Sequence, residues 1–134
     1  MDKQKNYSTD NDIAKAISSF ANHIIGEQIS AFHTDISKLK SEKERAFAES
    51  LKRKIKEKGL DVNCRDKNGN TPLLAAIKYD LQETFKTLLN NGADPFKKND
   101  LNENAFMLAK YYRRDEINKI LKEYFIEKVL RLIS

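Results

Sequence analysis

The sequence is short of most of the residues that staple, anchor or catalyse. It has one cysteine, Cys64, in 134 residues, so no internal disulfide and no thiolate-rich metal site can be built. There is no tryptophan, and aromatics make up 9% of the chain. No apolar run approaches the roughly 20 residues that a membrane span needs, and the opening residues MDKQKNYSTDNDIAKA contain no apolar stretch of signal-peptide length. The expectation is a cytoplasmic protein with no membrane segment. A chain of this length holds one domain with helical extensions at most.

Glycine and proline are also scarce, at four and two, and most of them stand where helices should start or stop. Gly59 follows an amphipathic run containing Leu51 and Ile55, and Gly92 follows Phe85, Leu88 and Leu89. Both suit the left-handed conformation that closes a helix, which glycine adopts without a Cβ penalty. Thr71-Pro72 reads as a helix start. The threonine hydroxyl can accept an orphan N–H, and proline at the first helical position has no donor to waste.

Charge is uneven along the chain. The total is +5, and residues 37–58 concentrate the excess, with nine cations against four anions. Because Glu42, Glu44, Glu49 and Glu57 interleave with those cations, the segment reads as a solvated, salt-bridged helix. A basic helix over 38–58 that binds nucleic acid or an acidic membrane surface is the competing reading, and it requires a steep loss of affinity with salt.

A repeat runs through the second half. Gly59 and Gly92 are 33 residues apart, and the same shift carries Asp61 to Asp94, Leu73 to Phe106, Ala76 to Ala109 and Leu88 to Leu121. The stretch DKNGNTPLLAAIKYDLQETFKTLLNNGAD closely resembles the ankyrin repeat in its turn, its Thr-Pro-Leu helix start, its two short helices and its Gly-Ala-Asp exit. Leu73, Ala76 and Ile77 give the first helix a narrow apolar edge, against which Phe85, Leu88 and Leu89 of the second can close. One such hairpin leaves an apolar side open and does not fold alone, so its neighbours must cover it.

The resemblance implies an all-α solenoid of about two and a half ankyrin repeats. The expected organisation is a flexible tail (1–9), an N-terminal capping helix (10–36), and repeats that are degenerate (37–65), central (66–98) and weak (99–125). A helical extension (126–134) follows. Ile13, Ile17, Phe20 and Ile24 carry the amphipathic spacing of the cap. In the weak repeat, Asn104-Ala105-Phe106 replaces Thr71-Pro72-Leu73. Leu74 and Met107 stand where many family members carry a histidine that ties adjacent turns, so packing must replace that tie. Should the apolar residues of IEKVLRLIS not fold back, they form a patch for self-association or a partner helix.

No catalytic constellation is found, and the expectation is a protein that is not an enzyme and needs no cofactor. His23 and Glu27 are four apart, but two ligands do not make a metal site. His33 sits near a helix end, where a cation is favourable. Cys64 is read as a small packing residue, with no histidine base next to it.

What the family resemblance implies instead is protein binding through the turn fingers and first helices. The first finger then supplies Arg65, Lys67, Asn68 and Asn70, and the next supplies Phe96, Lys97, Lys98, Asn99 and Asn102. Phe96 stands where the family usually has a polar residue, and it is either a binding anchor or a ring folded onto the helices. A second candidate is the turn between paired helices, where Tyr111-Tyr112-Arg113-Arg114 aligns with Lys78-Tyr79-Asp80-Leu81. Tyr79, Tyr112, Arg113 and Arg114 are of residue types enriched in interfaces, with ordinary edge residues as the alternative and Tyr111 open to packing inside. The leading functional expectation is an adaptor or inhibitor whose activity is binding. The alternative is a bacterial effector delivered into a host cell, since a lysine- and asparagine-rich composition resembles small ankyrin proteins of intracellular bacteria.

Overall fold

The computed structural model describes residues 13–30 and 36–133. Six helices follow one another: α1 (Ile13–Ser30), α2 (Ile36–Lys58), α3 (Pro72–Lys78), α4 (Gln82–Asn90), α5 (Ala105–Tyr111) and α6 (Asp115–Ile133). No strand occurs among the described residues. The tail expected at 1–9 and His33 lie outside them.

The helices stack in two rows. α1 packs on α3 and α3 on α5, while α2 packs on α4 and α4 on α6. α1 therefore holds the first-helix place of an N-terminal hairpin whose second helix is α2, and it covers the central hairpin as α3 covers the last. The core runs without interruption from Ile13 and Ile17 through Leu73, Ile77, Phe85 and Leu88 to Ala109, Ile117 and Leu121. Ala76 and Ala109 are fully buried, and their small side chains let the rows approach.

The helix starts are as the sequence predicts. Thr71 accepts from Leu74 N at 3.4 Å, and Asn104 accepts from Met107 N at 3.1 Å. α4 has no cap of its own at Leu81; Glu44 of α2 supplies one across the stack, accepting from Thr84 N at 2.9 Å. Burial pushes the Glu44 carboxyl above the ordinary glutamate value, against the opposing pull of the Thr84 N–H and of the nearby Lys40 charge.

The 33-residue register is visible bond by bond. In the first finger Asp66 Oδ1 accepts from Asn68 N and Asn70 N, and in the second Asn99 Oδ1 accepts from Leu101 N and Glu103 N. Gly69 and Asn102 hold the same left-handed place, at φ 78° and 65°. The finger Gly69 must be glycine for a second reason. A Cβ there would come within 2.9 Å of Asp100 N in the neighbouring finger. At the helix–helix turns, Asp80 (φ 56°) matches Arg113 (φ 57°), and the bond from Leu81 N to Ala76 O matches that from Arg114 N to Ala109 O.

Candidate functional site

Two surfaces carry the sequence-predicted residues. On the fingers, Arg65, Lys67, Asn68, Lys98 and Asn102 are exposed and Lys97 is partly covered. Asn70 and Asn99 turn inward to each other: Asn99 Nδ2 donates to Asn70 Oδ1 and to Glu103 Oε1, both at 3.0 Å. These two amides hold adjacent fingers together, along with Asp100 N donating to Asn68 O at 3.3 Å. They take over part of the tie that Leu74 and Met107 do not make.

Phe96 folds onto the helices and still stays exposed. Its ring leans on Phe106 with centroids 5.2 Å apart and meets Phe125 edge-on at 6.5 Å, yet 56% of the residue remains exposed.

The helix-turn edge is the more developed surface. Arg114 reaches back across the stack, with Nε donating to Ile77 O at 3.0 Å and Nη2 to Lys78 O at 2.7 Å. It adds a partner to Ile77 O, which also accepts from Asp80 N at 3.1 Å, and bonds Lys78 O at the C-terminal end of α3, where a cation is favourable to the helix dipole. From the other side, Lys40 Nζ donates to Asp80 O at 3.3 Å. Between these two arms lies a pocket of about 330 Å³, walled by Ala21 and Ile24 of α1, Lys40, Tyr79, Asp80 and Arg114 among others.

Next to Arg114 stand the exposed aromatics. Tyr111 and Tyr112 meet edge-on with centroids 5.1 Å apart, and the Arg114 guanidinium lies 5.4 Å from the Tyr112 ring centre. Tyr111 is 74% exposed and does not pack inside. Arg113 stands at the left-handed corner and is exposed. Lys78 and Lys110 add positive charge to the same edge.

His23 is exposed on α1, and the side chain of Glu27 lies outside the described residues. Cys64 is partly buried in the first finger. Among the described residues no three histidine, cysteine or acidic side chains converge as metal ligands, and no helix is long and apolar enough to cross a membrane.

The 33-residue register, the capped short helices and the stacked turns agree with a family model for ankyrin repeats in three copies, which matches residues 41–131. The chain belongs to the ankyrin-repeat family. Ankyrin repeats are in general protein–protein interaction modules. Over 68 residues the chain is 35% identical to an ankyrin repeat protein of Acanthamoeba polyphaga mimivirus, which covers 51% of this chain and 42% of that protein. Over 58 residues it is 38% identical to the Caenorhabditis elegans homolog of ankyrin repeat and LEM domain-containing protein 1, covering 43% of this chain and 8% of that protein. The chain thus spans less than half the length of either relative. α1 lies outside the matched stretch, although it takes a repeat helix's place in the stack.

Sequence reasoning left Tyr111 open between surface and interior and did not select Leu101 or Met107 as contacts; all three are exposed on this ankyrin stack. For Met107 a signal was present. Its equivalent one repeat earlier, Leu74, is 2% exposed because the next hairpin covers it, whereas Met107, with no such cover, is 51% exposed.

Proposed function

We propose that this ankyrin-repeat protein is a non-catalytic binding module, an adaptor or inhibitor that holds a partner protein on its helix-turn edge. The observation that carries this reading is the grouping of Tyr111, Tyr112 and Arg113 in exposed positions beside the pocket between Lys40 and Arg114. Tyrosine and arginine supply large contact area and forked donors at modest entropic cost, which is why they recur as interface anchors. Arg114, on the same turn, ties it to the neighbouring turn through Ile77 O and Lys78 O, and Lys40 holds that neighbouring turn at Asp80 O.

The fingers supply a second, more polar rim through Arg65, Lys67, Lys97 and Lys98. In such an arrangement the edge anchors the partner and the finger lysines steer its approach, so edge substitutions act on dissociation and finger substitutions on association and its salt dependence.

The test is affinity capture from lysate with the wild-type chain and with Tyr111→Ser plus Arg113→Glu, followed by a dissociation constant for whatever is retained. The double change should weaken binding on the order of tenfold or more while leaving thermal unfolding unchanged. Equal affinity of the two proteins would remove the edge from the interface.

A further inference from the structure

α6 carries two apolar faces, and the second, in its C-terminal half, is open to solvent. In its first half Ile117 and Leu121 point into the core. Continued at the same spacing of four and three, that side of the helix becomes Tyr124, Lys128 and Arg131. These three line a shallow groove with Leu89, Asn90 and Gly92 at the end of α4. The apolar residues Ile126, Val129, Leu130 and Ile133 occupy the outer arc, Phe125 and Leu132 extend it along one flank, and all six are between 40% and 84% exposed. Phe125 joins this stripe to Phe96.

Glu127 and Arg131 are themselves 70% and 76% exposed at the side chain, so the charges leave the apolar arc uncovered and open to solvent beside them. We propose that the outer stripe of α6 is an interface with a second copy of this chain, the two α6 helices lying antiparallel about a two-fold axis.

Area and charge support that occupant. At about 150–200 Å² for each large side chain, the exposed fractions amount to roughly 600 Å² of apolar surface. That lies at the top of what a monomer leaves open in one patch, and it approaches the roughly 800 Å² that each partner gives to a stable interface. The charged residues on this arc are Lys119 and Lys122, both at its N-terminal end. An antiparallel mate brings the C-terminal end of its own α6, with open carbonyls and the negative end of the dipole, to those lysines. A parallel mate would set Lys122 against Lys122. The stripe is therefore complementary to itself in one direction only.

The experiment is light scattering after size-exclusion chromatography, over a concentration series of the 134-residue chain. The expected result is twice the 15.5 kDa chain mass. Leu130→Asp should return the mass to one chain with an unchanged melt, and Ile126→Asp serves the same purpose if the first variant is unstable. Lys122→Glu should weaken the dimer several-fold. A single-chain mass at about 100 μM, well above a micromolar dissociation constant, would overturn the proposal. So would a dimer that survives Leu130→Asp, or a monomer that binds phosphatidylserine vesicles through the stripe. An unchanged dimer constant for Lys122→Glu would overturn the antiparallel arrangement.

Discussion

Asn63 and Phe96 hold the same station in successive fingers, 33 residues apart, and each fastens its repeat to the next by different chemistry. Asn63 Nδ2 donates to Gly92 O at 3.2 Å and its Oδ1 accepts from Asp94 N at 2.8 Å. Phe96 meets Phe125, which is the position equivalent to Gly92. A polar clip between interior repeats has become an aromatic clip where α6 runs on as a helix and offers no turn carbonyl to bind.

Asn63→Ala should lower stability by about 1–3 kcal/mol, since two hydrogen bonds between turns are lost together. Phe96→Asn, which restores the amide one repeat later, should not rescue anything. It is expected to cost about 1 kcal/mol from the lost ring pair. Urea unfolding of the two variants checks both values, and a stabilised Phe96→Asn would mean that the aromatic clip has no structural role.

At Glu44 the expected effect is one of sign. Its carboxyl is held above the ordinary value of 4.5 by burial, so between that value and its folded-state value the native protein binds more protons than the unfolded chain. Stability contributed by this group is therefore greatest at low pH and falls as pH rises through that window. Glu44→Gln keeps an acceptor for Thr84 N without a buried charge, and should flatten this part of the pH profile while matching or exceeding wild-type stability at pH 7. Glu44→Ala strands the buried Thr84 N–H and should cost about 1–3 kcal/mol. Melts from pH 4 to pH 8 separate the three cases.

Arg114 was predicted as a contact residue, and the structure gives its guanidinium two carbonyls of the neighbouring repeat. Arg114→Ala should destabilise by roughly 1.5–3 kcal/mol, because charge-assisted bonds to buried-end carbonyls are lost. Arg114→Lys should recover only part, as an ammonium cannot span both Ile77 O and Lys78 O in the same fork. Binding losses in these variants should track the melting temperature, whereas those of Arg113→Glu should not.

How far the sequence alone leads depends on how local the cause is. The central hairpin was legible because Thr71, Pro72, Gly69 and Gly92 each act on their own backbone. The place of α1 was not. Ile13, Ile17 and Ile24 announce an amphipathic helix, but only the finished stack shows that they cover α3 as another repeat would. The trans cap from Glu44 and the reach of Arg114 were hidden for the same reason, since each links residues 36 or more apart with no spacing rule. Tyr111 could be read either way, because at a helix end one step of rotation separates the core from solvent.

Removal of residues 1–35 follows from the place of α1. Ile17 is fully buried and Ile13 and Ile24 nearly so, and each is worth about 1.5–3 kcal/mol of burial. Their loss approaches the whole stability of a small domain. The remainder should lose its cooperative urea transition, and a truncated chain with the wild-type midpoint and slope would show that α1 is dispensable.

The most direct test of the binding account is hydrogen–deuterium exchange of the chain alone and in complex with its captured partner. Slowed exchange should concentrate in the two helix-turn corners, residues 78–82 and 111–115, with smaller changes in the fingers. Protection confined to the fingers at 65–70 and 96–102, or no protection at either place, would contradict the claim that the helix-turn edge holds the partner.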